Sequence, residues 1–166
     1  MPNDSRQDNF EALLERHQGI VLKVAGMYCR NVEDRRDLAQ EIRAQLWRSF
    51  ARYDETRPFA TWMYRVALNV AISFARRAAV RAPHSTQLDE GAVDPVDERE
   101  GITGDSERVL ALQRFIETQS ELNKALLLLY LEEQSYREIA EVLGITETNV
   151  ATKLSRLKQR IQRDVR

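Results

Sequence analysis

Cysteine is almost missing from this chain: Cys29 stands alone among 166 residues, which excludes an internal disulfide framework. Histidine is nearly as scarce. His17 and His84 lie far apart, so no Cys/His cluster has the spacing of a zinc site, and each is expected to be a structural histidine. Also missing are a Gly-rich phosphate loop and a nucleophile–His pair, which argues against a small hydrolase or transferase. The sequence therefore points to no catalytic residue, no metal and no cofactor. No apolar run approaches the ~20 residues that span a bilayer. The opening Met1-Pro2-Asn3-Asp4-Ser5 has neither the basic stretch nor the apolar core of a secretory signal. A cytoplasmic protein without membrane insertion is expected.

What is present is a helical composition, 43% hydrophobic and 31% charged. The formal net charge of −1 conceals an uneven distribution. Residues 1–82 carry 14 basic and 10 acidic side chains, residues 83–109 carry 2 and 8, and residues 110–166 carry 9 and 8. Nucleic-acid affinity follows local basic surface, so the near-zero total does not oppose it.

Apolar residues recur at helical spacing and strand-like alternation is scarce, which predicts an all-α protein. A helix is expected over about 9–29, with Phe10, Leu13, Leu14, Val21, Val24 and Tyr28 on one face. A second is expected over 33–52, with Asn31 as N-cap and Leu38, Ile42, Leu46 and Phe50 inward. A third, over 58–80, starts near Pro58 and carries the stripe Phe59, Met63, Val66, Val70 and Phe74. The pattern then lapses through Pro83, Gly91, Pro95, Gly101 and Gly104, among the acids Asp89, Glu90, Asp94, Asp97, Glu98 and Glu100. Such composition buries too little apolar surface to offset chain entropy and reads as a flexible linker. Periodicity resumes at Val109, Leu112, Phe115 and Ile116, followed by the apolar helix of Leu122, Leu126, Leu128, Leu129 and Leu131. The expected layout is two small helical domains, 1–82 and 108–166, joined by an acidic linker over 83–107.

The firmest motif runs from Ser135 to Lys158. Ser135-Tyr136-Arg137-Glu138 has the form of a capping box, and Ile139, Ala140 and Leu143 give its helix an apolar face. Gly144 supplies a left-handed turn, Ile145 returns to the core, and Thr146 caps a second helix with Val150, Leu154, Leu157 and Ile161 inward. That second helix offers Asn149, Thr152, Lys153, Ser155, Arg156 and Lys158, and no acid occurs between Thr148 and Arg163. A helix fits the major groove, where early polar side chains reach base edges and neighbouring cations reach phosphates. The motif is a helix-turn-helix.

The N-terminal part adds specificity. Asp37-Leu38-Ala39-Gln40-Glu41-Ile42, then Trp47, then Pro58-Phe59-Ala60-Thr61-Trp62-Met63-Tyr64-Arg65-Val66-Ala67-Leu68-Asn69 resembles the second conserved region of bacterial sigma factors. Ser135 to Ile145 is similar to their fourth region. With no third domain between, the layout resembles the extracytoplasmic-function (ECF) group. The resemblance implies a non-enzymatic specificity subunit that binds core RNA polymerase, recognises −35 and −10 promoter elements and helps melt the DNA.

It also implies where each partner binds. Asp37, Leu38, Gln40, Glu41 and Trp47 match the helix that docks on the β′ clamp helices, although Arg36 and Arg43 depart from the family's usual residues. Tyr53, Phe59, Thr61, Trp62 and Tyr64 match the part that holds the −10 element, with the loop 53–60 as a pocket for a flipped base. Unstacked bases need aromatic faces, and Tyr53 and Tyr64 are expected to be exposed. Arg65, Asn69, Ser73, Arg76 and Arg77 share a face of the next helix that would follow the non-template strand. The −35 contacts fall on Asn149, Thr152, Lys153, Ser155, Arg156 and Lys158, with Ala151 at a position often basic in the family. The fourth region implies contact with the β flap, and the family often uses an anti-sigma factor. The acidic linker fits both an RNA-channel thread and a plain tether. The rival reading is a stand-alone helix-turn-helix regulator with a sensor or dimerisation domain in residues 1–82.

Overall fold

The computed structural model describes residues 2–81 and 103–165, with side chains described over 4–81 and 106–165. Among the described residues every regular element is a helix, so the fold is all-α: α1 (Pro2–Tyr28), α2 (Val32–Ser49), a 3-10 turn (Phe50–Arg52), α3 (Phe59–Arg81), α4 (Thr103–Glu117), α5 (Glu121–Leu131), α6 (Tyr136–Leu143) and α7 (Glu147–Asp164). They divide into two compact units, α1–α3 and α4–α7. Most of the acidic connector, and His84 with it, lies outside the described residues. Its expected C-terminal end does not hold: α4 begins at Thr103, so residues 103–107 are helical.

In the first unit α1, α2 and α3 pack pairwise. α1 is longer than its apolar periodicity, because Pro2 is accommodated in a first turn and the polar residues that follow leave no stripe to read. Asn31 caps α2 as expected. Its Oδ1 accepts from the amides of Glu33 at 2.7 Å and Asp34 at 3.2 Å, satisfying two otherwise orphaned donors. Leu38, Ile42 and Leu46 are fully enclosed and Phe50 is buried, as their spacing predicts. Val21 and Val24 from α1 and Met63 and Leu68 from α3 complete the core.

α3 corrects the sequence reading. Its core face is Phe59, Met63, Tyr64, Ala67, Leu68 and Ala71, so Phe59 and Met63 of the expected stripe face inward, whereas Val66, Val70 and Phe74 are only half-buried. The small side chains of Ala67 and Ala71 reach zero exposure and suit close helix approach.

In the second unit α5 contacts α6 and α7, α6 contacts α7, and α4 contacts α7. Leu126, Leu129, Ile139, Val150, Leu154 and Leu157 form the core. Leu122, expected in the stripe, is half-buried, and Leu131 at the end of α5 is exposed. Gln119 is the buried polar residue here. Its amide donates to the Phe115 carbonyl at 3.1 Å and its oxygen accepts from Asn123 at 3.3 Å, so burial leaves no orphan.

Candidate nucleic-acid interface

The second unit builds the helix-turn-helix as the sequence predicts. Ser135 Oγ accepts from the Glu138 amide at 3.1 Å while Glu138 Oε2 accepts from the Ser135 amide at 2.8 Å, a complete capping box. Gly144 adopts φ +66°, and its amide donates to the Ala140 carbonyl at 2.9 Å. Ile145 also donates its amide to that carbonyl, at 3.2 Å, and its side chain is half-buried. Thr146 Oγ1 then accepts from the Asn149 amide at 3.1 Å and starts α7. Val150, Leu154 and Leu157 face inward, while Ile161 is half-buried.

Asn149, Thr152, Ser155 and Arg156 are exposed, and Lys153 is half-buried at the flank. Lys158 departs from the expectation. Its ammonium sits 4.3 Å from the Tyr130 ring centroid. A hydrogen bond with Tyr130, aided by one with Tyr136 and opposed by desolvation, raises its pKa above the ordinary lysine value. The reason is angular: two residues turn a helix by about 200°, which puts Lys158 nearly opposite Arg156. It clasps α7 to α5 and does not share the exposed face.

In the first unit the loop after the 3-10 turn is held by its own side chains. Tyr53 donates its hydroxyl to the Arg57 carbonyl at 2.6 Å. Asp54 Oδ1 accepts from the Thr56 amide at 3.0 Å and hydroxyl at 2.7 Å. The Thr56 hydrogen bonds hold the Asp54 carboxyl below its ordinary pKa. Burial of the ring, then the carboxylates of Glu55 and Asp54, push the Tyr53 hydroxyl up, so it stays a proton donor.

The Tyr53 ring lies 5.1 Å from Trp62, 5.4 Å from Phe59 and 6.0 Å from Phe50. Phe10 extends this aromatic cluster to Trp47 at 5.1 Å, and His17 packs on Phe59 at 5.2 Å. His17 thus has the structural role expected of it, with Nδ1 2.9 Å from the Leu13 carbonyl.

Three further sequence expectations change. Tyr64 is buried at 3% exposure because it lies on the core face of α3, against the expected exposed position. Phe59, by contrast, is buried at 7% under Tyr53 and Trp62, as its place in the apolar stripe of α3 predicts. Leu38 is fully enclosed in the core of the first unit, against its expected place on a docking surface. Tyr53, expected to be exposed, is half-buried, as are Thr61 and Trp62, and Trp47 is partly exposed.

The remaining residues converge on an open groove between α2 and α3. Asp37, Gln40 and Glu41 line one wall, and Asn69, Ser73 and Arg77 the other. Arg77 Nη2 donates to Glu41 Oε2 at 2.7 Å across it. Arg65 and Arg76 are exposed on the adjoining flank of α3. The two walls, separate surfaces by sequence, thus form one groove. The Asp54-x-Thr56 turn is a further feature of this unit, and its residue types are its only local signal in the sequence.

A capped helix-turn-helix in one unit and an aromatic loop beside a basic helix in the other define a DNA-binding protein. Residues 13–81 match the family model for sigma-70 region 2, and residues 110–161 match that for sigma-70 region 4. The chain is similar to the ECF RNA polymerase sigma-E factor of Haemophilus influenzae, at 29% identity over 94% of this chain and 87% of that protein. It is also similar to the ECF RNA polymerase sigma factor SigW of Bacillus subtilis, at 23% identity over 96% and 90%. In fold it resembles the sigma factor RpoE, solved in complex with the anti-sigma factor NepR from Bartonella quintana. That match has a TM-score of 0.67 and 14% identity, covering 95% of this chain and 94% of the other.

The chain belongs to the RNA polymerase sigma factors of the ECF group. It is a transcription initiation factor acting with core RNA polymerase at promoter DNA, which sets aside the stand-alone regulator. No helix among the described residues is long and apolar enough to cross a membrane.

Proposed function

We propose that the first unit, within residues 1–82, docks on core polymerase and captures the −10 element, while the second, within 108–166, reads the −35 element. On α2, Asp37, Gln40, Glu41 and Trp47 would meet the β′ clamp helices. Asp37 and Gln40 are exposed, Glu41 is half-buried, and Trp47 keeps part of its ring open. On α3, Arg65, Asn69, Ser73, Arg76 and Arg77 follow the non-template strand, the arginines chiefly through phosphates. Tyr53, Thr61 and Trp62 border the receptor for an unstacked base, with Phe59 and Tyr64 supporting it from the core. On α7, Asn149, Thr152, Lys153, Ser155 and Arg156 face the −35 major groove. The β flap is the second unit's contact on polymerase.

One observation carries this reading: every exposed polar residue of α3 from Arg65 to Arg77 is basic or neutral, with Asn69, Ser73 and Arg77 on one groove wall. The chain works in the cytoplasm, catalyses no reaction, and has an anti-sigma factor as a further partner. Run-off transcription with purified core polymerase on genomic fragments tests the whole. Transcripts from discrete start sites that vanish in an R65A/R76A/R77A variant are expected. Equal transcription by that variant would remove α3 from strand capture.

A further inference from the structure

The Glu41–Arg77 ion pair joins two residues 36 positions apart, one from each functional wall of the groove. Arg77 is aimed at α2 by its own helix as well. Its Nε donates to the Ser73 carbonyl at 3.4 Å, and its guanidinium carbon lies 5.8 Å from the Phe74 ring centroid. The pair remains half-open, with side-chain exposures of 53% for Arg77 and 41% for Glu41. Both groups can therefore be reached by another molecule without unfolding either helix. Asp34 and Asp37 add further carboxylates to the α2 wall. An incoming phosphate meets Arg77 already neutralised and lined by acids.

We infer that Glu41 is a positioning residue for Arg77: in the free chain it holds the guanidinium against α2, and polymerase docking on Glu41 releases Arg77 to the DNA strand. The inference rests on the proposed roles of α2 and α3. A carboxylate cannot pair fully with a basic docking partner and with Arg77 at the same oxygen. Engagement of α2 thus adds one phosphate contact to α3. Because a half-exposed pair is weak, the device tunes strand affinity and does not block it. Its worth is about two- to fivefold in strand affinity. Weakness is also what lets it switch, since a strong pair would resist release.

The test is a double-mutant cycle on the full chain with a fluorescein-labelled, mixed-sequence single-stranded DNA 20-mer. Wild type, E41Q, R77Q and E41Q/R77Q are compared by anisotropy across a salt series, free and with saturating core polymerase. E41Q is expected to bind about two- to fivefold more tightly when free. Its salt dependence should steepen by about 0.7 in log–log slope, the signature of one more phosphate contact. Both effects should vanish in the R77Q background and in the holoenzyme. If the gain from E41Q persists without Arg77, it is a general charge effect, and the latch is overturned while strand capture by α3 stands. Weaker binding by E41Q would also overturn it, since Glu41 would then be presenting Arg77 to the strand. If R77Q binds as wild type does in the holoenzyme, where the latch is open, Arg77 is not on the strand, and its proposed role fails together with the latch.

Discussion

The Tyr53 hydroxyl lies 2.6 Å from the Arg57 carbonyl oxygen and bridges the loop between the 3-10 turn and α3. With the Asp54–Thr56 hydrogen bonds, it fixes the backbone that borders the proposed base receptor before any DNA arrives. A receptor ordered in advance avoids the entropy of ordering on binding. Tyr53→Phe keeps the ring and removes only the staple. It is expected to cost no more than about 1 kcal/mol of stability. Open-complex formation, read by permanganate reactivity of −10 thymines, should fall more than polymerase affinity does. Unchanged reactivity would show that the ring alone sets the loop.

Tyr64 gives the opposite expectation. It is buried on the core face of α3 beside Met63, Ala67 and Leu68. Truncation to Ala should cost about 3–5 kcal/mol, as for other large buried aromatics. Polymerase affinity and strand capture should then decline together, tracking the unfolded fraction seen by urea titration. A selective loss of melting at full stability would restore a direct DNA role to this side chain.

These two tyrosines show what sequence could and could not reveal. Elements set by local chemistry were readable: Asn31, Ser135, Gly144 and Thr146 all act where their residue types predict. So was the core stripe of α2, where only one face is apolar. α3 has apolar residues around more than half its circumference, and periodicity cannot choose which face turns inward. Large Val66, Val70 and Phe74 looked like the core, but Ala67 and Ala71 allow the closer approach. Lys158 misled for a related reason, because a basic residue in a recognition helix reads as a contact until its angular position is known. The Glu41–Arg77 pair was invisible, since nothing local in either helix encodes a partner 36 residues away.

The helix-turn-helix should respond to its caps. Ser135→Ala removes the hydroxyl acceptor and strands the Glu138 amide, with an expected cost of about 0.5–2 kcal/mol. At Gly144 an added Cβ meets nothing within 4 Å, so any penalty is conformational. With φ at +66°, Gly144→Ala should cost about 1–2 kcal/mol, and Gly144→Asn less. Thermal unfolding of the second unit would measure both. An unshifted midpoint for Gly144→Ala would mean that the turn relaxes out of the left-handed region.

Arg156 and Lys158 should separate recognition from packing within a single helix. Arg156 is exposed on the face shared with Asn149 and Thr152, where a base or phosphate contact is within its reach. Arg156→Ala should weaken binding to a −35 duplex by about 1–3 kcal/mol if it reads a base, with reduced discrimination at one position of the element. Lys158 instead covers the Tyr130 ring, and Tyr130 and Tyr136 together hold its pKa above the ordinary lysine value. Lys158→Met keeps the apolar stem but loses the cation. It should lower the unfolding midpoint of the second unit slightly while leaving −35 discrimination and the salt slope of binding as in wild type. A salt slope reduced by about 0.9 would instead place Lys158 on a phosphate of the duplex. Comparing the two variants on one DNA series decides between a contact and a clasp, since only the contact changes the number of ions released.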